Sequence, residues 1–302
     1  MKKFITFLIL VSILGITFHF REDISIFYLT HFSTEDKVIE LDYKNEYYRD
    51  FYYNYVHETN DFNVKNKEQL IDIYYSIINS GIDKFTFYCS KSYEDCITDV
   101  TSLANNQVIL SNINSFVHPY NSFSSIETKY DSLRRVTLKI NKSYTDEQIK
   151  EINEKVQEVV DNKVKDTKDK REIIKIVHDY IINNSKYDSQ KSDKNIDMYA
   201  SNIAYGPLLQ GYGLCGGYTD AMAIFLDYFD IPNYKVISEN HVWNAVYLDG
   251  KWYHLDVTWD DPVMKDGSDA LEYSFFLITT KQLQEEESNQ HQFDISVFSE
   301  VY

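Results

Sequence analysis

Hydrophobic positions along this chain repeat with two periods, and the alternation between them lays out its elements. In residues 45–57 the aromatics Tyr47, Tyr48, Phe51, Tyr52 and Tyr55 recur at helical spacing and predict an amphipathic helix. Residues 67–79 repeat the pattern with Leu70, Ile71, Ile73, Tyr74 and Ile77, and Gly81 follows as a stop signal. Residues 85–89 predict a short strand. Ser92 is then placed to cap a helix reaching about residue 105, with Glu94 and Asp95 in its first turn. Between residues 116 and 140 the period falls to two, with Val136, Leu138 and Ile140 on one face, which predicts two or three strands. A helix begins at Thr145, whose side chain can cap it while Asp146 and Glu147 sit at its positive end, and Ile149, Ile152, Val156, Val159, Val160 and Val164 line one face. The polar stretch 165–170 breaks that face. A second helix, 171–183, carries Ile173, Ile174, Ile176, Val177, Tyr180, Ile181 and Ile182. His178 lies mid-helix without a second histidine at ligand spacing, so a structural hydrogen bond is expected of it; His57 and His118 are likewise isolated.

Residues 206–261 differ from the rest. Gly211, Gly213, Gly216 and Gly217 bracket Cys215, allowing a sharp turn and close backbone approach to a substrate. A helix follows, with Tyr218, Ala221, Met222, Phe225, Tyr228 and Phe229 as its apolar stripe. Strands are predicted over 235–238, 241–248 and 251–258, the last two joined by the hairpin dipeptide Asp249-Gly250. With a two-residue loop, Leu248 faces Lys251, Trp243 faces Asp256 and His241 faces Thr258. These last four share one side of the hairpin because side chains alternate. His241 and Asp256 are then diagonal neighbours with Cα atoms about 7–8 Å apart, a gap their side chains can bridge.

Composition narrows the possibilities. The 302 residues carry a formal net charge of −17, which supplies no basic patch for nucleic acid or for anionic lipid. The 26 Tyr and 18 Phe are scattered without a repeat and read as packing aromatics. Lys2 and Lys3 precede an uncharged apolar run over residues 4–18, closed by Arg21, Glu22 and Asp23, the pattern of an export signal. No small-residue cleavage site stands at its end, and the run, extended to residue 20, reaches the lower limit for a span. A removed signal peptide and an uncleaved membrane anchor both remain open; either places the body of the chain outside the cytoplasm. The expected organisation is a targeting segment over 1–22, a mixed α/β domain over 23–143 and an α+β domain over 144–302. With three cysteines there is no disulfide scaffold. Cys89 and Cys96 can pair in an oxidising compartment, but two buried free thiols are the more ordinary reading.

Cys215 is the odd thiol. A cysteine at a helix N-terminus meets unpaired N–H groups that favour a thiolate and can also hold a developing oxyanion. Set against a histidine and a carboxylate, it forms a nucleophile, base and orienter. The alternative is a binding or scaffolding module with a vestigial site. Asp256 to Asp261 is acidic, but Asp256 is committed to His241 and no EF-hand loop is present, so no metal and no cofactor are expected.

These residues resemble the transglutaminase-like superfamily: a glycine-bracketed cysteine at a helix start, His241 in HVWN on a strand, and Asp256 in LDVTWDDP after a hairpin. The upstream HDYIINNSKYD and the downstream YSFFLIT are also similar to exported bacterial members, so the resemblance covers about residues 145–280. It implies a papain-like core, the cysteine helix packed on an antiparallel sheet. It further implies Cys215 as nucleophile, His241 as general base and acid, and Asp256 as orienting carboxylate. Gln210, Tyr212 and Trp243 are candidates for the second oxyanion donor or for substrate contact. The implied reaction is acyl transfer or amide hydrolysis through a thioester, and the exported location expected from the N-terminal pattern points to a peptide or protein of the cell surface or cell wall as substrate. Residues 4–20 are the candidate membrane attachment.

Overall fold

The computed structural model describes residues 15–21, 24, 40–263, 270–286 and 289–302. Residues 15–19 are helical, and no helix among the described residues is long and apolar enough to cross a membrane. The rest of the predicted targeting run, residues 4–14, lies outside the described residues.

The first half of the described chain runs β1 (Asn63–Val64), α1 (Glu68–Asn79), β2 (Lys84–Cys89), α2 (Cys96–Ala104), α3 (Gln107–Ser115), β3 (Phe123–Tyr130) and β4 (Arg135–Lys142). Its four strands form one sheet in the order β1-β2-β4-β3, parallel only between β1 and β2. The second half runs α4 (Asp146–Val159), which ends in a π turn over Val160–Val164, then α5 (Lys170–Asn184), β5 (Lys186–Tyr187), α6 (Ser189–Lys194), β6 (Tyr212–Gly213), α7 (Cys215–Tyr228), β7 (Asn233–Ile237), β8 (Val242–Leu248), β9 (Lys251–Leu255) and α8 (Thr280–Glu285). Strands β7, β8 and β9 make an antiparallel sheet in that order. Thr145 closes a capping box on α4, and Asp249 and Gly250 take the positive φ angles (51° and 80°) that a tight hairpin demands.

The three-stranded sheet is covered on both faces, and side-chain alternation decides what covers each. Tyr234, Val236, Trp243 and Ala245 join one core with Leu70, Ile73, Phe87 and Phe116 of the first half. Val246, Leu248 and Leu255 join a second core with Ile152, Ile174, Val177 and Phe225 of α4, α5 and α7.

Three local expectations change. Residues 45–57 are not helical but form an extended strap. Its backbone groups are satisfied across the fold instead of along a helix: the Arg49 N–H donates to Asn79 Oδ1 (3.1 Å) and the Arg49 carbonyl accepts from Asn79 Nδ2 (2.9 Å). The aromatic stripe packs in three dimensions, with Tyr53 against Phe116 and Tyr234. The helix after β2 begins at Cys96, not after Ser92, and its N-cap residue Asp95 makes no side-chain cap. The intervening loop is closed by a Cys89–Cys96 disulfide, the pairing that had been the less ordinary reading. The guanidinium of Arg134 fills this loop, donating to the carbonyls of Cys89 (3.3 Å), Ser90 (3.1 Å) and Tyr93. Helix α3, absent from the sequence pattern, is capped by the Asn106 side chain on the Ile109 N–H.

Candidate active site

Cys215 is the first residue of α7, and Leu214 at the N-cap offers no side-chain acceptor to the N–H groups of the first turn. They are left for an anion. Gly216 and Gly217 serve the protein before any substrate. A Cβ on Gly217 would stand 2.3 Å from the Ser201 carbonyl oxygen, and one on Gly216 would stand 2.8 Å from that of Asn202. The close approach expected toward a substrate is therefore spent on the backbone of residues 201–203. Gly217→Ala is expected to lower stability by about 1–3 kcal/mol, as overpacking against a fixed backbone does. A thermal melt beside a Cys215 alkylation rate would detect both the loss and the displaced helix start.

Helix α7 is pinned to β8. The Thr219 hydroxyl donates to the Cys215 carbonyl (2.7 Å) and lies 3.0 Å from the Val242 carbonyl, and Asn244 Nδ2 donates to the Thr219 carbonyl (3.1 Å). His241 sits just ahead of β8. The hairpin register is as read from the sequence, Leu248 opposite Lys251 and Asn244 opposite Leu255, but β9 ends at Leu255. Thr258 therefore does not face His241. Asp256 has left the strand and turns the chain, its Oδ1 accepting the N–H groups of Thr258 (3.0 Å) and Trp259 (3.2 Å). An aspartate satisfies backbone donors two and three residues on, and that local bond wins over continuing the ladder.

His241 Nε2 lies 2.6 Å from Asp256 Oδ2. An ionised carboxylate only accepts, so Nε2 carries the proton and Nδ1 is the nitrogen left for Cys215, whose nearness favours the charged ring. Burial opposes charging of His241, but the Asp256 carboxylate, reinforced by Cys215, outweighs it and pushes the imidazole up to about 10. Burial likewise works against the Asp256 charge, and His241 and His291 overcome it, holding the carboxyl well below the usual carboxylate range.

His291 was not anticipated from the sequence. Its Nε2 is 2.8 Å from the same Asp256 Oδ2, and it is buried. No periodicity marks it, because it lies beyond the strands and helices that patterning resolves. Among the described residues, His241, Asp256 and His291 are the group of metal-type side chains whose ligand atoms converge, all within 4.8 Å. The spacings of 2.6 and 2.8 Å are those of hydrogen bonds. Ligands about 2.0–2.1 Å from a tetrahedral ion would stand roughly 3.3 Å apart, so the present arrangement is proton-linked.

Three other predicted contributors are placed as follows. The Gln210 side chain accepts the Ala200 N–H (2.7 Å), and Tyr212 stacks on Tyr199 with ring centroids 4.2 Å apart. Trp243 stacks beside His241 at 5.7 Å, but it is fully buried and its indole N–H donates to His254 Nδ1 (2.9 Å). That N–H is committed, so Trp243 offers packing and not an oxyanion donor. Burial, helped by His291, pushes His254 down to about 3, so it stays neutral as the acceptor. His178, as expected, makes a structural contact: its Nε2 is 3.1 Å from Asp260 Oδ2, while Asp260 Oδ1 accepts the Phe275 N–H (2.9 Å). This holds the chain that leaves Asp256. A cleft of about 230 Å³ adjoins Gly216 and Val242, and Ser111 and Asn114 of the first half line it together with Asn202 and Lys235.

Residues 155–257 match the family model described as the transglutaminase-like superfamily. The chain carries a transglutaminase-like domain. That span contains Cys215, His241 and Asp256 and stops short of His291. The fold class is α+β with a transglutaminase-like core. Among solved structures, a TGase is 15% identical with a TM-score of 0.34, the match covering 45% of this chain and 44% of that one. A candidate cysteine protease from Cytophaga hutchinsonii is 15% identical with a TM-score of 0.28, over 49% of this chain and 65% of that one. The chain thus spans less than two thirds of either structure. No curated protein matches it.

Proposed function

We propose that the transglutaminase-like domain is a cysteine-dependent acyltransferase or amidase working through a thioester on Cys215. The observation that carries this reading is the His241–Asp256 pair beside the start of α7, where the Thr219 hydroxyl joins the Cys215 and Val242 carbonyls and the cysteine opens an uncapped helix N-terminus. An imidazolium beside the sulfur stabilises the thiolate that attacks an amide carbonyl carbon. The carbonyl π electrons move to oxygen, and the Cys215 N–H with its neighbours in the first turn faces the resulting oxyanion. As the C–N bond breaks, His241 gives its Nδ1 proton to the leaving nitrogen and the amine departs. His241 then takes a proton from the incoming acceptor, which attacks the thioester and releases the thiolate. A primary amine as acceptor gives cross-linking; water gives hydrolysis.

The setting we propose is extracytoplasmic, with a cell-surface or cell-wall peptide or protein as substrate. The basic-then-apolar start of the chain and the Cys89–Cys96 disulfide support it, since such bonds persist in oxidising compartments.

Cys215 is the free thiol, which makes the test direct. Iodoacetamide is expected to alkylate it rapidly below pH 7, and His241→Ala to slow that reaction sharply. Slow alkylation indifferent to His241→Ala would instead favour a non-catalytic binding module. A glutamine-containing protein offered with a labelled primary amine separates the two acceptors: amide cleavage without amine incorporation excludes the transferase.

A further inference from the structure

Asp256 receives two imidazole donors where a nucleophile, base and carboxylate need one. Its four lone-pair sites are all taken: Thr258 and Trp259 N–H on Oδ1, His241 and His291 Nε2 on Oδ2. We propose that His291 is a positioning residue for this site, donating Nε2–H to Asp256 so that the carboxylate is fixed in the one orientation that aligns His241 with Cys215. The inference rests on the thioester reading of Cys215 given above.

Two features argue that the ring is there for its N–H and not for its bulk. The surroundings are aromatic: His291 stacks on Phe275 at 4.8 Å and meets the edges or faces of Trp243 and Trp259, each at 4.9 Å. A phenylalanine would fill such a nest without bringing a polar atom that must be satisfied. The Nε2 ring nitrogen is moreover aimed at the same carboxylate oxygen that serves His241.

The donor arrives from outside the 155–257 family span, on a C-terminal segment anchored through the same neighbourhood. Phe298 and Val301 of that segment enter the first core, and the Val301 carbonyl accepts the Thr280 hydroxyl. Thr280 Oγ1 in turn accepts from His254 Nε2 (3.1 Å), whose Nδ1 holds the Trp243 indole. Docking of the tail and orientation of Asp256 are thereby linked through Trp243, the ring that stacks on His241.

The test compares His291→Phe with His291→Gln in the full chain, reading Cys215 alkylation by iodoacetamide at neutral pH. Phenylalanine keeps the stacking and loses the donor; glutamine keeps an N–H of similar reach and loses the stacking. His291→Phe is expected to slow alkylation by about 10–100-fold, the usual loss when a group that orients a functional ligand is removed. His291→Gln is expected to regain most of that rate. The opposite ranking, with the phenylalanine variant as fast as wild type, assigns His291 to packing and overturns the proposal. A measurement on the unaltered protein covers the case of a variant that does not fold: ¹⁵N-histidine NMR should show downfield, exchange-protected Nε2–H protons assigned to both His241 and His291, beside those of the buried His178 and His254, and the lack of one from His291 would also overturn it. If His241→Ala does not slow alkylation, the thioester reading itself fails; if it does and His291→Phe does not, only the present inference falls.

Discussion

Asp256→Ala is expected to lower turnover by about 10³–10⁴-fold and to destabilise the fold by about 3–5 kcal/mol, the combined effect of losing the orienting carboxylate and of leaving buried partners without it. The stability loss follows from the geometry. Two backbone N–H groups and two imidazole N–H groups converge on this carboxylate, and Asp256, His241 and His291 are all buried. Alanine leaves every one of those donors to find another acceptor. Asp256→Asn separates the two effects. Its carbonyl oxygen can still accept from Thr258 and Trp259, so much of the stability is retained. Its NH₂ group would then face His241 Nε2, which must give up its proton to accept. The remaining proton moves to Nδ1, the nitrogen that has to be free to take one from Cys215. Asn should therefore fold far better than Ala while being nearly as inactive.

The same pair predicts a pH window. The His241 imidazole is raised to about 10 in the folded protein. Its contribution to stability is fully present below its unfolded value of about 6.5 and is lost as pH rises through 10. Asp256 is depressed, so its contribution is present above the unfolded value of about 3.9 and is lost as pH falls below it. The two statements describe one interaction seen from its two partners. The melting-temperature gap between wild type and Asp256→Ala should thus be widest from about pH 4 to 6.5 and should narrow on either side. A gap constant from pH 4 to 10 would mean that His241 and Asp256 do not form an ion pair.

Arg49→Ala should cost about 3–5 kcal/mol with little change in the alkylation rate of Cys215 per folded molecule, as breaking one side of a buried charge pair does. The guanidinium crosses from the extended strap to α7 and β7. Nη2 donates to Asp227 Oδ2 (2.6 Å) and to Asn233 Oδ1 (3.0 Å), and Nη1 to the Phe116 carbonyl (3.5 Å). His118 Nε2 stands 3.4 Å from the same Asp227 oxygen, and burial, with the Arg49 and Lys235 charges nearby, drives His118 well below its ordinary value. Asp227 would be left at the C-terminal end of α7, where the helix dipole also disfavours negative charge. The double variant Arg49→Met, Asp227→Leu should recover much of the loss, because removing both charges removes the unpaired partner. Urea unfolding of the three proteins reads this out. A single variant as stable as wild type would mean the strap is not held by this pair.

Much of the site was legible because its determinants are local. Thr145 and the Asp249-Gly250 turn act within a few residues, so the cap and the hairpin register could be counted directly along the chain. The register then placed His241 near Asp256, and glycines around a cysteine ahead of an apolar stripe placed Cys215 at a helix start. Where the count was carried too far, at Thr258, a side-chain bond from Asp256 to the following backbone ended the strand. The tyrosine-rich stretch 45–57 misled for a different reason. Its helical spacing is real, but Asn79 and other partners on α1 satisfy its backbone, and burial of Tyr53 and Arg49 outweighs local propensity. Ser92 had the right chemistry for a cap, yet the Cys89–Cys96 bond and Arg134 organise that loop instead.

The sequence by itself determined that Cys215 opens a helix, that His241 lies beside Asp256, and which superfamily these residues resemble, since those follow from residue type, spacing and hairpin geometry. Only the tertiary structure decided that Trp243 spends its N–H on His254, that Gly216 and Gly217 make room for residues 201–203, and that His291 reaches Asp256 from the end of the chain. Each of these depends on segments brought together by burial of two apolar cores, and contacts between residues far apart in sequence leave no period in either segment to be read.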